Sequence, residues 1–245
     1  MPNPTKVPGC PDFPDAWTLP NGAQRWFAEA HASNYTHEGS MWYGGPKEIR
    51  AFVLHTPEEP PDDGINSAGW WFQQPQANAS TSWGITTDGD LWQYVRLTDF
   101  AWGQGAHGAN VQLPRPVWAP DGKYNRYAEG VEIEGRAATL GRTLVVGGPQ
   151  WDTLVELIAR RSIAGQYIAD RAHVVGHSEL AKNRRDPGAG LDFAALLQDV
   201  TERRFELTVT PPPIVEPEPD PPPETQLQHH HPWKSFRRTG PAVWD

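Results

Sequence analysis

A single cysteine, Cys10, stands in 245 residues. One thiol cannot form an intrachain disulfide, and it excludes a zinc site built from several cysteines. Long apolar runs are missing as well, and nothing approaches the length of a membrane span. The opening residues, M-P-N-P-T-K-V-P-G-C, lack an apolar stretch of the kind a secretory signal carries. The expectation is therefore a protein made in the cytoplasm without a signal peptide. Basic charge is in deficit: 21 Lys and Arg face 30 Asp and Glu, for a net charge of −9. Nucleic acid is thus not expected as a partner, because phosphate binding draws on clustered Lys and Arg.

What is present is tryptophan, proline and glycine, at 12, 26 and 23 residues. The chain is long enough for one ample domain plus an appendage. Most of the tryptophans are expected in the core and the remainder on stacking surfaces for a ligand such as a sugar. The proline content predicts irregular connections and a part that does not fold.

Asn21 to Ala32 reads as a short helix capped by Asn21. Ile49 to His55 (I-R-A-F-V-L-H) reads as a central strand of an α/β sheet, buried on both faces and closed by His55. Ser67 to Gln74 fits a short helix stopped by Pro75. Thr81–Thr86 and Leu91–Val95 flank Asp88-Gly89, a strong hairpin signal. Residues 99–126 form a long loop holding Trp102, His107 and Trp118, and loops of that length are usually functional or disordered.

G-V-E-I-E-G at 130–135 alternates as a strand, with Val131 and Ile133 on one face and Glu132 and Glu134 on the other. Trp151 to Ala172 reads as an amphipathic helix with Asp152 as cap and Leu154, Leu157, Ile158, Ile163 and Ile168 on its apolar stripe. Leu191 to Phe205 reads as another. From Thr210 an acidic proline-rich stretch reads as an extended linker. The tail after it holds His229-His230-His231 and K-S-F-R-R and is too short to build a core.

The chemistry concentrates between Ala172 and Gly190, A-H-V-V-G-H-S-E-L-A-K-N-R-R-D-P-G-A-G. A catalytic zinc takes three protein ligands and keeps one position for water. His55, His177 and Asp186 can supply a His/His/Asp set, and Pro187 and Gly188 place Asp186 in a turn. Bound metal would lower the pKa of its water and polarise a carbonyl. Glu132 or Glu134 qualifies as the base that takes the water's proton. Lys182, Arg184 and Arg185 are candidates to stabilise an oxyanion. Together these parts amount to metal-assisted hydrolysis of an amide or ester.

The blocks F-V-L-H-T at His55, Q-A-N-A-S-T-S-W-G-I-T-T-D-G-D-L-W-Q-Y-V, D-F-A-W-G-Q-G, G-V-E-I-E-G, and G-H-S-E-L followed by D-P-G resemble the zinc-dependent N-acetylmuramoyl-L-alanine amidases, relatives of peptidoglycan recognition proteins and frequent among phage endolysins. The resemblance spans roughly Ile49 to Leu197. It implies a central mixed β-sheet flanked by helices, followed here by a disordered Pro-rich tail. It implies Zn²⁺ on His55, His177 and Asp186, and Glu132 rather than Glu134 as the base. The reaction implied is cleavage of the amide between N-acetylmuramic acid and L-alanine in bacterial peptidoglycan, at the cell wall.

This chain departs from the family at three places. Arg184 stands where a lysine is usual, and arginine can stabilise an oxyanion but cannot shuttle a proton. Trp83 stands for a histidine in the S-T-S-W block, and Gly103 for another. His107 lies near enough to serve for the latter, or is simply a loop histidine. Trp83, Trp102 and His107 are the candidate substrate contacts, and His173 is read as part of its strand. The expected organisation is an N-terminal extension with a short helix over 1–40, a catalytic domain over 41–207, a linker over 208–228 and a tail over 229–245, acting as a monomer. The rival readings are a non-catalytic peptidoglycan-binding module and a muropeptide-recycling enzyme on the same scaffold.

Overall fold

The computed structural model describes residues 4–14, 17–37, 46–58, 64–105 and 108–209. His107, most of the proline-rich linker and the tail, with its three histidines, lie outside them. Nine strands are described: β1 Val7–Pro8, β2 Arg25–Phe27, β3 Tyr35–Thr36, β4 Ala51–His55, β5 Trp83–Ile85, β6 Leu91–Gln93, β7 Phe100–Ala101, β8 Ala128–Ile133 and β9 Val174–Gly176. The helices are α1 Gly64–Phe72, α2 Tyr124–Tyr127, α3 Leu140–Thr143, α4 Pro149–Ala164 and α5 Phe193–Val209.

Seven strands form one sheet in the order β1-β2-β6-β5-β8-β4-β9, and β3 pairs with β7 separately. The sheet is mixed: β4 runs parallel to both β8 and β9, while β5 and β6 are antiparallel. This is the α/β arrangement of a central mixed sheet with flanking helices. All five residues of β4 are buried, as its unbroken apolar run requires of a strand covered on both faces. The β5–β6 hairpin turns at Asp88-Gly89, where Gly89 has φ +87° and donates to Thr86 O at 2.9 Å.

Pleating sorts the side chains onto two faces. Phe52, Leu54, Val131, Ile133, Trp83 and Ile85 share one core with α4 and α5 residues such as Leu154, Leu157, Ile158 and Leu196. Ala51, Val53, Ala128 and Val175 lie in a second core with Trp118, Tyr124 and Tyr127. On β4 and β8 the residues that continue this second face are His55 and Glu132.

Three local expectations change. Asn21–Ala32 is not a helix: Arg25–Phe27 is a strand parallel to β6, with Trp26 opposite Trp92. The hydrogen bonds go on past it, Ala28 N to Gln93 O at 2.9 Å and Ala30 N to Tyr94 O at 2.8 Å. An unpaired edge on β6 outweighs weak local helix propensity. The N-terminal segment is therefore part of the main sheet. Helix α4 ends at Ala164 rather than Ala172, because Gly165 caps it and Gln166 takes φ +54°. Ile168 lies beyond that end and is exposed. Finally, Gly148 is the N-cap of α4 and Pro149 its first residue, so Asp152 sits inside the first turn, where its charge favours the helix dipole.

Candidate metal centre and cleft

Two parallel strands deliver the first pair of site residues. β4 and β8 are in register with His55 opposite Glu132, and facing partners on neighbouring strands project to the same side of the sheet. On the other flank of β8, Glu132 faces Gly84 of β5. A Cβ at position 84 would lie 2.5 Å from the Tyr94 hydroxyl, so glycine lets the Tyr94 ring pack against this row. On the other flank of β4, β9 ends at Gly176 opposite Leu54, which brings His177 to the same end of the sheet.

The turn after His177 returns the third residue. Ser178 N donates to Asp186 O at 2.9 Å. Gly188 takes φ +96°, and a Cβ there would lie 1.9 Å from Ala137 O. Only glycine fits that closure, and the Asp-Pro-Gly sequence is explained by it. The Asp186-Pro187 peptide is cis.

His55 Nδ1 and His177 Nδ1 each lie 3.2 Å from Asp186 Oδ2. The two imidazoles are stacked edge to face with centroids 4.5 Å apart, and all three side chains are buried. Their ligand atoms fall within 4.8 Å of one another. A tetrahedral zinc with bonds of about 2.0–2.1 Å holds its ligands about 3.3 Å apart, so the observed spacing matches the edge of such a site. Burial, then the neighbouring His177, lowers the His55 pKa to about 4, which keeps its imidazole neutral and able to ligate. Burial pushes the Asp186 carboxyl up, but the His177 and His55 hydrogen bonds outweigh it and hold the group below the usual carboxylate range. Two imidazoles and a carboxylate suit a dication. Both Nε2 atoms are buried without a hydrogen-bond partner among the described residues.

Glu132 stands beside this cluster. Its Oε2 is also buried and without a hydrogen-bond partner among the described residues. Burial, then repulsion from Asp186, raises its pKa to about 8, so its carboxylate is an unusually good proton acceptor. Glu134 differs: it accepts Ile65 N–H at 3.2 Å and Thr87 N–H at 2.8 Å. Those bonds anchor the start of α1 and the hairpin, so of the two glutamates Glu132 has the free carboxylate oxygen at the cluster.

A cleft of about 500 Å³ opens here, lined by Thr56, Glu58, Trp70, Trp71, Glu132 and Arg184. A larger cavity of about 700 Å³ shares Glu58 with it and is lined by Arg185, Ser178, Pro187 and Phe193. We place the chemistry in the smaller one, which holds Glu132. The three basic candidates separate: Arg184 reaches the cleft, Arg185 lines the other cavity, and Lys182 is exposed with its backbone N–H on Asn110 O. His173 pairs with Asp170 at 2.6 Å just before β9.

Trp83 does not reach the cleft, contrary to expectation. It is fully buried, faces Val131 rather than Glu132, and donates from Nε1 to Glu129 Oε2 at 2.8 Å. One residue of strand parity turns it into the opposite core, so it cannot touch substrate. Trp102 is half-buried and donates to Thr36 Oγ1 at 2.8 Å, which ties it to β3. The sequence reading missed Trp70 and Trp71. Both line the cleft, and Trp71 is 41% exposed, unusual for so large an apolar side chain.

A search of curated proteins finds no match. Solved structures give matches. A selenomethionine derivative of AmpD is 20% identical, with a TM-score of 0.50, over 77% of this chain and 98% of that one. A mutant endolysin from Bacillus subtilis is 15% identical, with a TM-score of 0.42, over 77% of this chain and 94% of that one. The N-acetylmuramyl-L-alanine amidase AmiD from E. coli, in complex with anhydro-N-acetylmuramic acid-L-Ala-D-gamma-Glu-L-Lys, is 17% identical, with a TM-score of 0.46, over 68% of this chain and 65% of that one. In sequence, residues 45–189 match the N-acetylmuramoyl-L-alanine amidase family. That span contains β4, β8, β9 and every residue of the buried cluster, and the chain belongs to this amidase family.

Proposed function

We propose that the chain hydrolyses bacterial peptidoglycan at the amide between N-acetylmuramic acid and L-alanine, in the manner of a phage-type lysin, with Zn²⁺ held by His55, His177 and Asp186. The observation that carries this reading is Glu132 at the wall of a cleft, its buried Oε2 without a hydrogen-bond partner among the described residues, in register beside a buried His/His/Asp cluster. When bound, zinc would supply an acidified water and polarise the scissile carbonyl.

The chain's own residues do the rest. Glu132 takes the proton of the attacking water at its free oxygen and returns it to the leaving amine. Arg184, exposed at the rim, places its guanidinium where the carbonyl oxygen becomes negative. As a fixed cation it stabilises charge without transferring a proton. Trp70 and Trp71 present flat apolar faces to a sugar or a stem peptide. Residues 41–207 carry the catalytic machinery, on a sheet that the N-terminal segment extends; 208–228 are a linker and 229–245 a short tail. The enzyme acts as a monomer on the cell wall, without a nucleic-acid partner.

Product chemistry on purified cell walls tests this reading. Amidase action frees L-alanine amino groups and creates no reducing sugar ends. Reducing ends in place of amino groups would overturn it. Cleavage confined to soluble anhydro-muropeptides would replace the lysin role with a recycling one.

A further inference from the structure

Residues 45–189 carry the family match, yet the wall of the cleft is fastened from outside that span. Helix α1 bears Trp70 and Trp71, and its C-terminal carbonyls need partners, as those of any helix do. Asn34 supplies them. It is fully buried, and its Nδ2 donates to Phe72 O at 2.8 Å and to Gln74 O at 2.7 Å. Its Oδ1 accepts Asn78 N–H at 3.0 Å, and its own carbonyl accepts the Ser80 hydroxyl at 2.6 Å. His31 N adds a second donor to Phe72 O at 2.8 Å. The side-chain amide thus binds the end of α1 and the loop after it, and the backbone carbonyl of the same residue holds the approach to β5. Further out, Gln73 exchanges two hydrogen bonds with the backbone of Thr5, at 2.9 and 2.6 Å.

We infer that Asn34 is a positioning residue for substrate: through α1 it fixes Trp70 and Trp71 at the cleft. The inference rests on the amidase reading of that cleft. Asn34 touches neither the buried cluster nor Glu132 in any of these bonds, so its effect is on substrate capture rather than on the chemical step. The Asn side chain is required in its amide form. An aspartate of the same shape would turn acceptors toward Phe72 O and Gln74 O, and buried acceptors facing acceptors repel.

The test compares the full-length, zinc-loaded protein with Asn34→Asp, Gln73→Ala and Asn21→Ala. Asn21 tethers the same N-terminal segment to Asp152 at the surface, away from α1, and serves as the control. On a soluble muropeptide, Asn34→Asp should raise KM about tenfold with kcat and zinc content near wild type, the worth of one or two buried hydrogen bonds. Gln73→Ala should raise KM less, in the same direction, and it decides the matter if Asn34→Asp does not fold. Asn21→Ala should leave KM unchanged. Amide hydrogen exchange gives a readout independent of activity: exchange over 64–72 should quicken in Asn34→Asp while that over 174–188 stays protected. Unchanged KM and unchanged exchange over 64–72 would overturn the inference, as would a fall in kcat together with zinc loss. Wild-type protein inactive on the muropeptide would instead sink the amidase reading, and the exchange result would stand on its own.

Discussion

Glu132 faces His55 across two parallel strands, and its outer carboxylate oxygen is buried without a hydrogen-bond partner among the described residues. Glu134, two residues on, spends both oxygens on backbone N–H groups. The two glutamates should therefore fail differently. Glu132→Gln should lower kcat by about 10²–10⁴-fold, the usual worth of a general base, with zinc content and Tm retained. Glu134→Gln should keep most of its kcat but lose about 1–3 kcal/mol of stability, because one of its two amide acceptors is lost. Steady-state kinetics beside urea unfolding separates them.

Removing a proposed ligand should remove the metal. His55→Ala and Asp186→Ala should each bind zinc at least about 10-fold more weakly and lose activity in proportion. Chelator-treated wild type should recover on adding Zn²⁺, whereas the variants should not at the same concentration. Metal analysis with an activity assay decides it, and a variant that keeps both zinc and full activity would refute the ligand set.

The metal-free protein should show a pH signature from Glu132. Its folded pKa of about 8 lies above the ordinary glutamate value of 4.5. A raised folded pKa gives stability that is complete below the unfolded value and is lost as pH rises through the folded one. Between roughly pH 6.5 and 8, above the range in which His55 titrates, Tm of the metal-free protein should fall by a few degrees, and Glu132→Gln should flatten that slope. His55 acts at the other end: with its pKa lowered to about 4, its contribution is present above about pH 6.5 and is lost as pH falls toward 4.

Arg184 stands at the rim of the cleft with Glu132. Arg184→Ala should lower kcat by about 10- to 100-fold with zinc retained, and Arg184→Lys should restore most of it, since both cations can face an oxyanion. A lysine variant as poor as alanine would show that the forked guanidinium geometry is needed.

Two tryptophans should report opposite roles. Trp83→Phe deletes a buried N–H donor to Glu129 and should cost about 1–3 kcal/mol in stability without changing KM. Trp71→Ala, at an exposed site, should raise KM several-fold, within the range of about 0.5–1.5 kcal/mol for an aromatic contact, and leave Tm within a degree or two.

The grouping of His55, His177 and Asp186 was legible because its residues sit at sharp local signals: a histidine closing an apolar run, and an aspartate before Pro-Gly. The central strands were legible for the same reason, being short, apolar and bounded by turns. Strand β2 was not, since its partner β6 is more than sixty residues away in sequence and its own residues tolerate a helix. The face of Trp83 was not legible either. S-T-S-W-G-I fixes no parity by itself, and only the pairing of Trp83 with Val131 decides which core receives the ring. Asn34 escaped notice because nothing local distinguishes a buried amide from a surface one.

His55, Glu132 and His177 are carried at the ends of three adjacent parallel strands, β4, β8 and β9. A slip of one residue between any two would turn a site residue onto the opposite face. The cluster therefore exists only when the centre of the sheet is correctly paired, and on the proposed ligand set zinc affinity should be coupled to that pairing. Zinc occupancy should in this sense gauge strand register, and a weakly bound metal would reveal a misaligned sheet before any loss of secondary structure does.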